Sequence, residues 1–585
     1  MMIKELHYFA LAVAQAGAFI YCCPLSLIEY RELYRHERNN LLQNEETQGQ
    51  DPYELAVYST WRLSYEKLEG PARSLLQICS FLHHEGISED MFQKAALSKL
   101  RLNDSKLQDE VTKLLNQLGN KNSGWSSWNF KQVTRRLGSY SLIEYDTQNR
   151  TYSIHPLVHH WSGTTMEGNR HDMQKLILTI IGLSVSWTFT DEDYKYRRTL
   201  LKHTNNSMAS LKLEDIDPSI AARIVRIYFE QGHWKEAEAL EVMAMEKMRQ
   251  VPGDDHPDTL VVMENLAEIY SSQGRRKEAE VLQVVVMEKR KLALGDDHPD
   301  TLRIMAKLAN THLSQGRWNE AEMLQAVVLE KRKRVRGDDH PETLSSMVNL
   351  ASIYFSQGRL DDAEALQIVV LEKRKRVLGD DHPDTLTSMA NLACTYGHRG
   401  QLGDAEALEV VVLEKRKRVF GDDHPLTLTT TGNLAATYCG QGRLDDAEAL
   451  GVALLEKTTH ILGGDHPNTL MTMANLANTY SWQGRWKEAE ELWMVVLGKR
   501  KQARGDDHPD TITSMANLAV MYFNQGRLDD AEALEVVVLE KRQRVLGDDH
   551  PHTLASMTNL ANTYRQLGRL NDAEALEVVL IDKRK

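Results

Sequence analysis

Gly-Asp-Asp-His-Pro begins at Gly253 and returns at Gly295, Gly337, Gly379, Gly421, Gly463, Gly505 and Gly547, each start 42 residues after the last. One copy deviates, reading Gly463-Gly464-Asp465-His466-Pro467. A signature repeated at one unbroken period does not describe a single globular core. It marks stacked units, each too small to bury its apolar face alone. A degenerate copy precedes the first signature: Tyr228, Gly232, Ala237 and Glu238 match Tyr270, Gly274, Ala279 and Glu280 at the same offset. The sequence thus predicts nine helical hairpins over 219–585, the last cut short at Lys585.

Inside a copy the apolar period is helical. Leu386, Met389, Leu392, Ala393 and Tyr396 share one stripe, which predicts a helix A from Pro383 to about Gly397. Gly400 closes it, a place held elsewhere by Gly274, Gly316, Gly358, Gly442, Gly484, Gly526 and Gly568. Glycine adopts the left-handed conformation that ends helices. Ala405, Leu408, Val411 and Val412 predict a helix B from about Asp404 to Val419. Its basic end, Lys415–Arg418, complements the helix dipole. The Lys-Arg-Lys-Arg runs at Lys331, Lys373 and Lys415 read this way rather than as nuclear signals.

Two helices per copy, Gly-Arg between them and an Ala-Glu-Ala-Leu opening of helix B resemble the tetratricopeptide repeat. The 42-residue length and the order Asn-Leu-Ala, Tyr, Gln-Gly-Arg, Ala-Glu-Ala-Leu, Leu-Glu-Lys-Arg, Gly-Asp-Asp-His-Pro are similar to the kinesin light chain subtype. The resemblance implies an all-α fold, a tetratricopeptide α-solenoid. It would wind as a right-handed superhelix lined by helix A, with a protein or peptide ligand in its concave face.

Eight histidines, His256, His298, His340, His382, His424, His466, His508 and His550, each follow acidic residues and invite a metal reading. Metal sites need three or four ligands converging on one point, and these histidines lie a whole copy apart. The structural reading prevails: Pro257 and its equivalents suit the first turn of helix A, with the preceding Asp and His capping its free N–H groups.

The copies differ where a ligand would be read. Four positions of helix A vary freely: Val261, Glu264, Glu268 and Ser271 in the first full copy, and Thr387, Ala390, Cys394 and Gly397 in the fourth. The last of the four includes Phe355, Phe523 and Arg565. Spacings of 3, 4 and 3 place them on one side of the helix, roughly 125° from the constant apolar stripe at ~100° per residue. A constant asparagine flanks them, Asn265, Asn349, Asn391, Asn433, Asn475, Asn517 and Asn559, replaced once by Lys307. In kinesin-light-chain-like repeats the matching asparagine faces the groove and hydrogen-bonds peptide backbone, which the resemblance carries to these seven residues. The bland alternative is that the variable positions are merely solvated and the asparagine ties neighbouring hairpins.

The first 165 residues carry no repeat. Helices are predicted over Leu11–Ile20, Leu25–Asn40, Ala56–Leu68, Pro71–Phe81, Glu89–Lys99 and Val111–Gln117, then a β-hairpin from Ser141–Tyr145 and Thr151–Ile154. This order resembles the C-terminal part of the NB-ARC module of STAND-type signalling ATPases, as in fungal NLR-like proteins. It implies a helical remainder over 1–50 and a winged-helix-like domain over 51–165, with 166–218 as a helical junction capping the array. In Tyr152-Ser153-Ile154-His155-Pro156-Leu157 the resemblance makes His155 a nucleotide sensor. Yet Tyr8-Phe9-Ala10 stands where the family has Gly-Leu-Pro, and no G-x-x-x-x-G-K-[ST] occurs. Gly119–Gly124 has the glycine spacing, but Trp125 stands where a phosphate-bridging Lys is required. The expectation is a truncated switch protein with no cofactor, ATP or ADP entering only with a P-loop domain upstream, and with His155 packing its hairpin.

A net charge of −13 argues against nucleic acid as partner. No apolar run reaches the ~18–20 residues of a membrane span, and Ala10–Ile20 reads as a buried helix rather than a signal peptide. Five irregularly spaced cysteines suit reduced thiols and a cytoplasmic location. No catalytic constellation stands out from the repeats. The functional expectation is a noncatalytic interaction scaffold of an NLR-like signalling or immunity family, able to form homo-oligomers in a full-length relative. A kinesin-light-chain-like cargo adaptor and a fragment of a nucleotide-dependent switch are the alternatives.

Overall fold

The structure, a computed structural model, describes residues 10–42, 52–100, 102, 104–119, 125–164, 169–187, 191–209, 211–251 and 253–583. The chain forms two compact units, Met1–Val251 and Pro252–Lys585.

The second unit is the array. In every full copy helix A starts at the signature proline, as in Pro257–Ser272, Pro383–His398 and Pro467–Trp482. Proline's fixed φ suits a first helical residue, where its missing N–H costs nothing. Helix B starts directly after the Gly-Arg turn, as in Arg276–Leu294 and Leu360–Leu378, and after Gly400-Gln401 in Leu402–Phe420. Gly400, between the helices, sits at φ +77°, and Gly421, between copies, at φ 91°, ψ 167°. The second of these is a region essentially reserved to glycine.

The histidines cap as expected. In each full copy the His Nδ1 accepts the N–H two residues on, from His256 with Asp258 (3.2 Å) to His550 with His552 (3.1 Å). The aspartates do not share this task. The second acidic residue of the signature pairs with the lysine at the basic end of helix B in the same hairpin, as Asp255 with Lys289 (2.6 Å) and Asp507 with Lys541 (2.7 Å). The adjoining arginine is no surface charge either. Arg374 is 5% exposed, and its Nη1 donates to Asp384 O and Ser388 Oγ of the next helix A, both at 2.8 Å. Arg332, Arg416, Arg500 and Arg542 repeat the tie. Helix-dipole complementarity therefore understates the basic run: one residue locks the hairpin and the next joins it to its neighbour.

A second ladder joins copies at the Gly-Arg turns. Arg317 reaches Glu280 (2.7 Å), Arg443 reaches Glu406 (2.9 Å) and Arg485 reaches Glu448 (2.7 Å), each arginine bonding the previous copy's helix B. Arg443 and Arg485 also lie over the last tyrosine of their own helix A, Tyr438 at 3.9 Å and Tyr480 at 4.2 Å, whereas the helix before Arg317 has His312 there.

The first unit is helical around a small sheet. Its helices include Ala10–Cys22, Leu27–Leu42, Pro52–Glu66, Gly70–Cys79, Glu89–Leu97 and Ser105–Gly119. The expected hairpin forms as β2, Glu144–Asp146, and β3, Thr151–Ser153. A third strand, β1, Ile87–Ser88, pairs antiparallel with β3, where the sequence suggested only a helix start. Ser127–Ser139 is a further helix, capped by Ser126 Oγ, that the apolar pattern did not predict. Trp61 and Trp161 pack at 5.8 Å and Phe92 and Phe130 at 5.5 Å between ring centres, forming its core. In the junction, Arg170–Ser184 and Asp191–Met208 are helices. The polar stretch Thr204–Ser207 continues the second helix, because Thr204 and Ser207 are buried and their hydroxyls bond the Leu200 and Phe81 carbonyls. The degenerate hairpin, Pro218–Glu230 and Trp234–Gln250, belongs to this unit. Tyr8, Phe9 and residues 120–124 of the glycine-spaced segment lie outside the described residues.

Candidate functional site

Helices A of neighbouring copies approach one another more closely than helices B do. A stack splayed that way bends with helix A on its inner face. What helix A leaves uncovered therefore lines the concavity. In Pro383–His398, Thr385, Leu386, Ser388, Met389, Leu392, Ala393 and Thr395 are buried, whereas Thr387, Ala390, Asn391, Cys394 and Gly397 are not. In this copy the variable stripe and its asparagine are the uncovered strip; in others Glu264, Ala306, Cys439, Ala474 and Ser481 of the stripe are buried while the asparagine stays uncovered.

Other polar residues that helix A keeps constant have structural work. The threonine of its first turn bonds the preceding glycine carbonyl in five copies, as Thr343 with Gly337 (2.8 Å). The tyrosine carries the turn arginine. The asparagines differ. None of the seven side-chain amides, Asn265, Asn349, Asn391, Asn433, Asn475, Asn517 and Asn559, makes a hydrogen bond among the described residues, and none is buried. They do not tie one hairpin to the next; the arginine ladders do.

The column is interrupted at Lys307, and the interruption is an ion cluster. Glu264, 5% exposed, meets Arg290 at 2.8 Å, Lys307 at 3.1 Å and Arg303 at 3.3 Å, and Lys307 also reaches Glu268 at 3.0 Å. Burial alone would raise the Glu264 pKa; Lys307, Arg303 and Arg290 outweigh it and hold it below the ordinary value. Three variable positions and the asparagine place are thus spent on one another there. From Asn349 onward six amides run without interruption. The sequence shows the substitution at Lys307 but not its consequence, because the partners lie 39 and 43 residues away.

The other singled-out residues divide. Phe355 stands edge-on to His398 of the next copy, ring centres 4.7 Å apart. Phe523 is half-buried against the cluster around Trp493 and Met521. Arg565 is tied to Glu577 of its own hairpin. His155 is exposed, and its Nδ1 accepts the Leu157 N–H at 3.3 Å, the same cap the repeat histidines make. Among the described residues no group of His, Cys, Asp or Glu converges to hold a metal, and no helix is long and apolar enough to cross a membrane.

Two tetratricopeptide repeat models match the chain, one at 301–342, 343–384, 385–426 and 511–552, the other at 218–283, 433–493 and 538–577. Residues 63–171 match a domain of unknown function, DUF7779. Among solved structures, nearly identical TPR-like repeats of a kinesin light chain candidate from Podosopora anserina are 28% identical, covering 35% of this chain and 98% of that one, TM-score 0.31. BtubC from P. vanneervenii is 21% identical over 38% of this chain and 91% of its own, TM-score 0.33. A signal transduction ATPase with numerous domains and a tetratricopeptide repeat sensor, from Pyrococcus horikoshii, is 12% identical over 94% of this chain and 72% of its own, TM-score 0.35. No curated protein matches. The array is built of tetratricopeptide repeats.

Proposed function

We propose that the array is a noncatalytic interaction scaffold that holds an extended peptide, or such a segment of a partner protein, along its inner face. One observation carries this reading: seven asparagine amides recur at the copy period, uncovered and without an intramolecular partner. An amide offers a donor and an acceptor, which is what a peptide bond presents. The variable stripe beside it supplies side-chain selectivity on a fixed scaffold. The uninterrupted run from Asn349 to Asn559 is where the ligand backbone lies.

The finer reading places the chain with NLR-like signalling proteins. Support comes from the order of helices in the first unit, the antiparallel sheet β1-β3-β2 and His155 at the start of the helix Pro156–Thr164. The ligand-loaded array would then bias a switch, and nucleotide would be read by an added P-loop domain.

Display of random peptides on the full-length protein tests the scaffold. The native chain should enrich a peptide pool that the triple variant Asn391→Ala, Asn433→Ala, Asn475→Ala does not retain. Equal retention by the two proteins contradicts the proposal.

A further inference from the structure

One joint in the array is unlike the others. At the remaining joints of the second unit, two side chains of helix B reach across to the next helix A. One is the buried arginine, from Arg290 to Arg542. The other is a large residue seven positions earlier, Gln283, Gln325, Gln367, Glu409, Trp493 or Glu535. Gln325 Nε2 donates to Ser346 O at 2.9 Å, Gln367 Oε1 accepts from Thr395 Oγ1 at 2.8 Å, and Trp493 is 1% exposed in a core cluster. Between hairpins 425–462 and 467–504 these places are Thr458 and Gly451; the Thr458 hydroxyl turns back to Leu455 O, and only its carbonyl meets the next helix A, accepting from Thr469 Oγ1 at 3.3 Å.

Leu476 of the next helix A closes on Gly451, where an added Cβ would meet its Cδ1 at 3.1 Å, and part of the missing volume stays open. A cavity of ≈ 80 Å³ lies at this joint, walled by Ala435, Cys439, Leu454, Leu476, Thr479 and Trp482, with Gly451 on helix B and Gly432 on helix A. Gly432 and Asn478 are variable positions and Asn475 is the constant amide, so the cavity meets the uncovered strip of the groove. Its polar wall atoms are already engaged. Cys439 Sγ lies 3.2 Å from Thr479 Oγ1, Thr479 Oγ1 donates to Asn475 O at 3.2 Å, and Thr472 Oγ1 donates to Asn468 O at 3.0 Å. No charged side chain lines it. The Asn475 and Asn478 amides and the exposed Trp482 indole N–H are the wall groups that make no hydrogen bond among the described residues.

We infer that this cavity is a side-chain pocket of the groove, taking one branched aliphatic residue (valine, leucine or isoleucine) of an extended peptide whose backbone lies on the Asn475 and Asn478 amides. The inference rests on the groove reading and names what the groove selects. The chemistry follows from the wall: apolar carbon with every buried donor satisfied rejects a polar or charged group, which would go unpaired. The size follows from the volume. A cavity of about 150 Å³ accepts a benzene ring, and at about half that volume this one suits a branched aliphatic group rather than a ring. The ligand side chain would lie beside Leu476, which closes on Gly451 where the other copies carry Gln, Glu or Trp.

The test uses the full chain labelled at tryptophan nitrogen, reading the Trp482 indole N–H signal, identified by Trp482→Phe. The probes are N-acetyl-leucine N-methylamide and N-acetyl-glycine N-methylamide. Saturable movement of the Trp482 signal with the leucine probe and none with the glycine probe is expected at millimolar concentration. Gly432→Val brings in the residue found at Val348 and narrows the mouth, where a Cβ would meet Leu454 at an ordinary 3.5 Å. It should weaken the leucine probe at least tenfold. Equal shifts with both probes, no saturation, or unchanged binding in Gly432→Val overturns the pocket. The groove reading is judged separately, by the display experiment with the three asparagine substitutions, and either can fail without the other.

Discussion

His508 Nε2 lies 3.2 Å from the carbonyl oxygen of Ser272, a residue 236 positions earlier. Ser272 ends one helix A, and His508 caps another six copies on. The same meeting recurs one copy later, where a Cβ on Gly316 would approach Pro551 Cδ to 2.6 Å. The coil therefore completes a turn in six hairpins, and successive turns touch. His508 and His550 are 7% exposed, whereas the ring of His256, with no turn packed against it, is 40% exposed.

Gly274 and Gly358 occupy the same turn at φ +79° and +77°, so alanine at either carries the same left-handed backbone cost of about 1 kcal/mol. They differ in surroundings. A Cβ at Gly274 runs into Pro509, while one at Gly358 meets nothing within 4 Å. Gly274→Ala should lower the thermal midpoint clearly more than Gly358→Ala. Equal losses would mean that the turns do not touch in solution.

Burial pushes the His508 pKa down to about 4, with Arg504 and Arg276 adding to it against the opposing pull of Asp510. The folded protein thus keeps this ring neutral, while the unfolded chain protonates near 6.5. Its contribution is whole above pH 6.5 and is lost as pH falls toward 4. Small-angle scattering should show the native protein expanding between pH 7 and pH 5. His508→Asn with His550→Asn, which keeps uncharged caps, should blunt the change.

Glu409 titrates the other way. Its carboxyl is buried, Oε2 lacks a partner, and burial raises its pKa to about 7. A folded pKa above the unfolded value means stability is greatest below about pH 4.5 and is lost as pH rises through 7. Gln283, Gln325 and Gln367 hold this place in earlier copies. Glu409→Gln should stabilise the array by about 1–3 kcal/mol at pH 8 and by little at pH 4.5, read from denaturation midpoints.

Arg374→Met removes a buried tie while keeping much of the side chain's bulk. Hydrogen bonds from a charged group are worth about 1.5–3 kcal/mol, and the loss falls at one joint of a nearest-neighbour array. Amide exchange should accelerate in Asp384–Ser388 and its flanking helices, with distant copies little changed.

Much of the array was legible because its determinants are local. The glycine turns, the proline starts and the histidine caps each act within a few residues, and a fixed period repeats the reading eight times. What escaped depends on neighbours. Arg374 sits in a run that reads as surface charge, and only the next hairpin, supplying Asp384 O and Ser388 Oγ, buries it. Lys307 looks like a lone exception until Glu264 and Glu268 stand beside it. The contact of His508 with Ser272 depends on the curvature accumulated over six joints, which no single copy encodes. In the first unit, β1 is two residues long, too short for alternation to show. The asparagine column was visible in the sequence; that its amides lack partners was not.

That column is the centre of the account, and the affinity of one display-selected peptide measures it. By calorimetry, Asn391→Ala, Asn433→Ala, Asn475→Ala should weaken binding at least tenfold with an unchanged melting curve. Glu372→Ala, Glu414→Ala, Glu456→Ala, on helix B, should leave affinity as it was. Native-like affinity in the asparagine variant would contradict the claim that these amides hold the ligand.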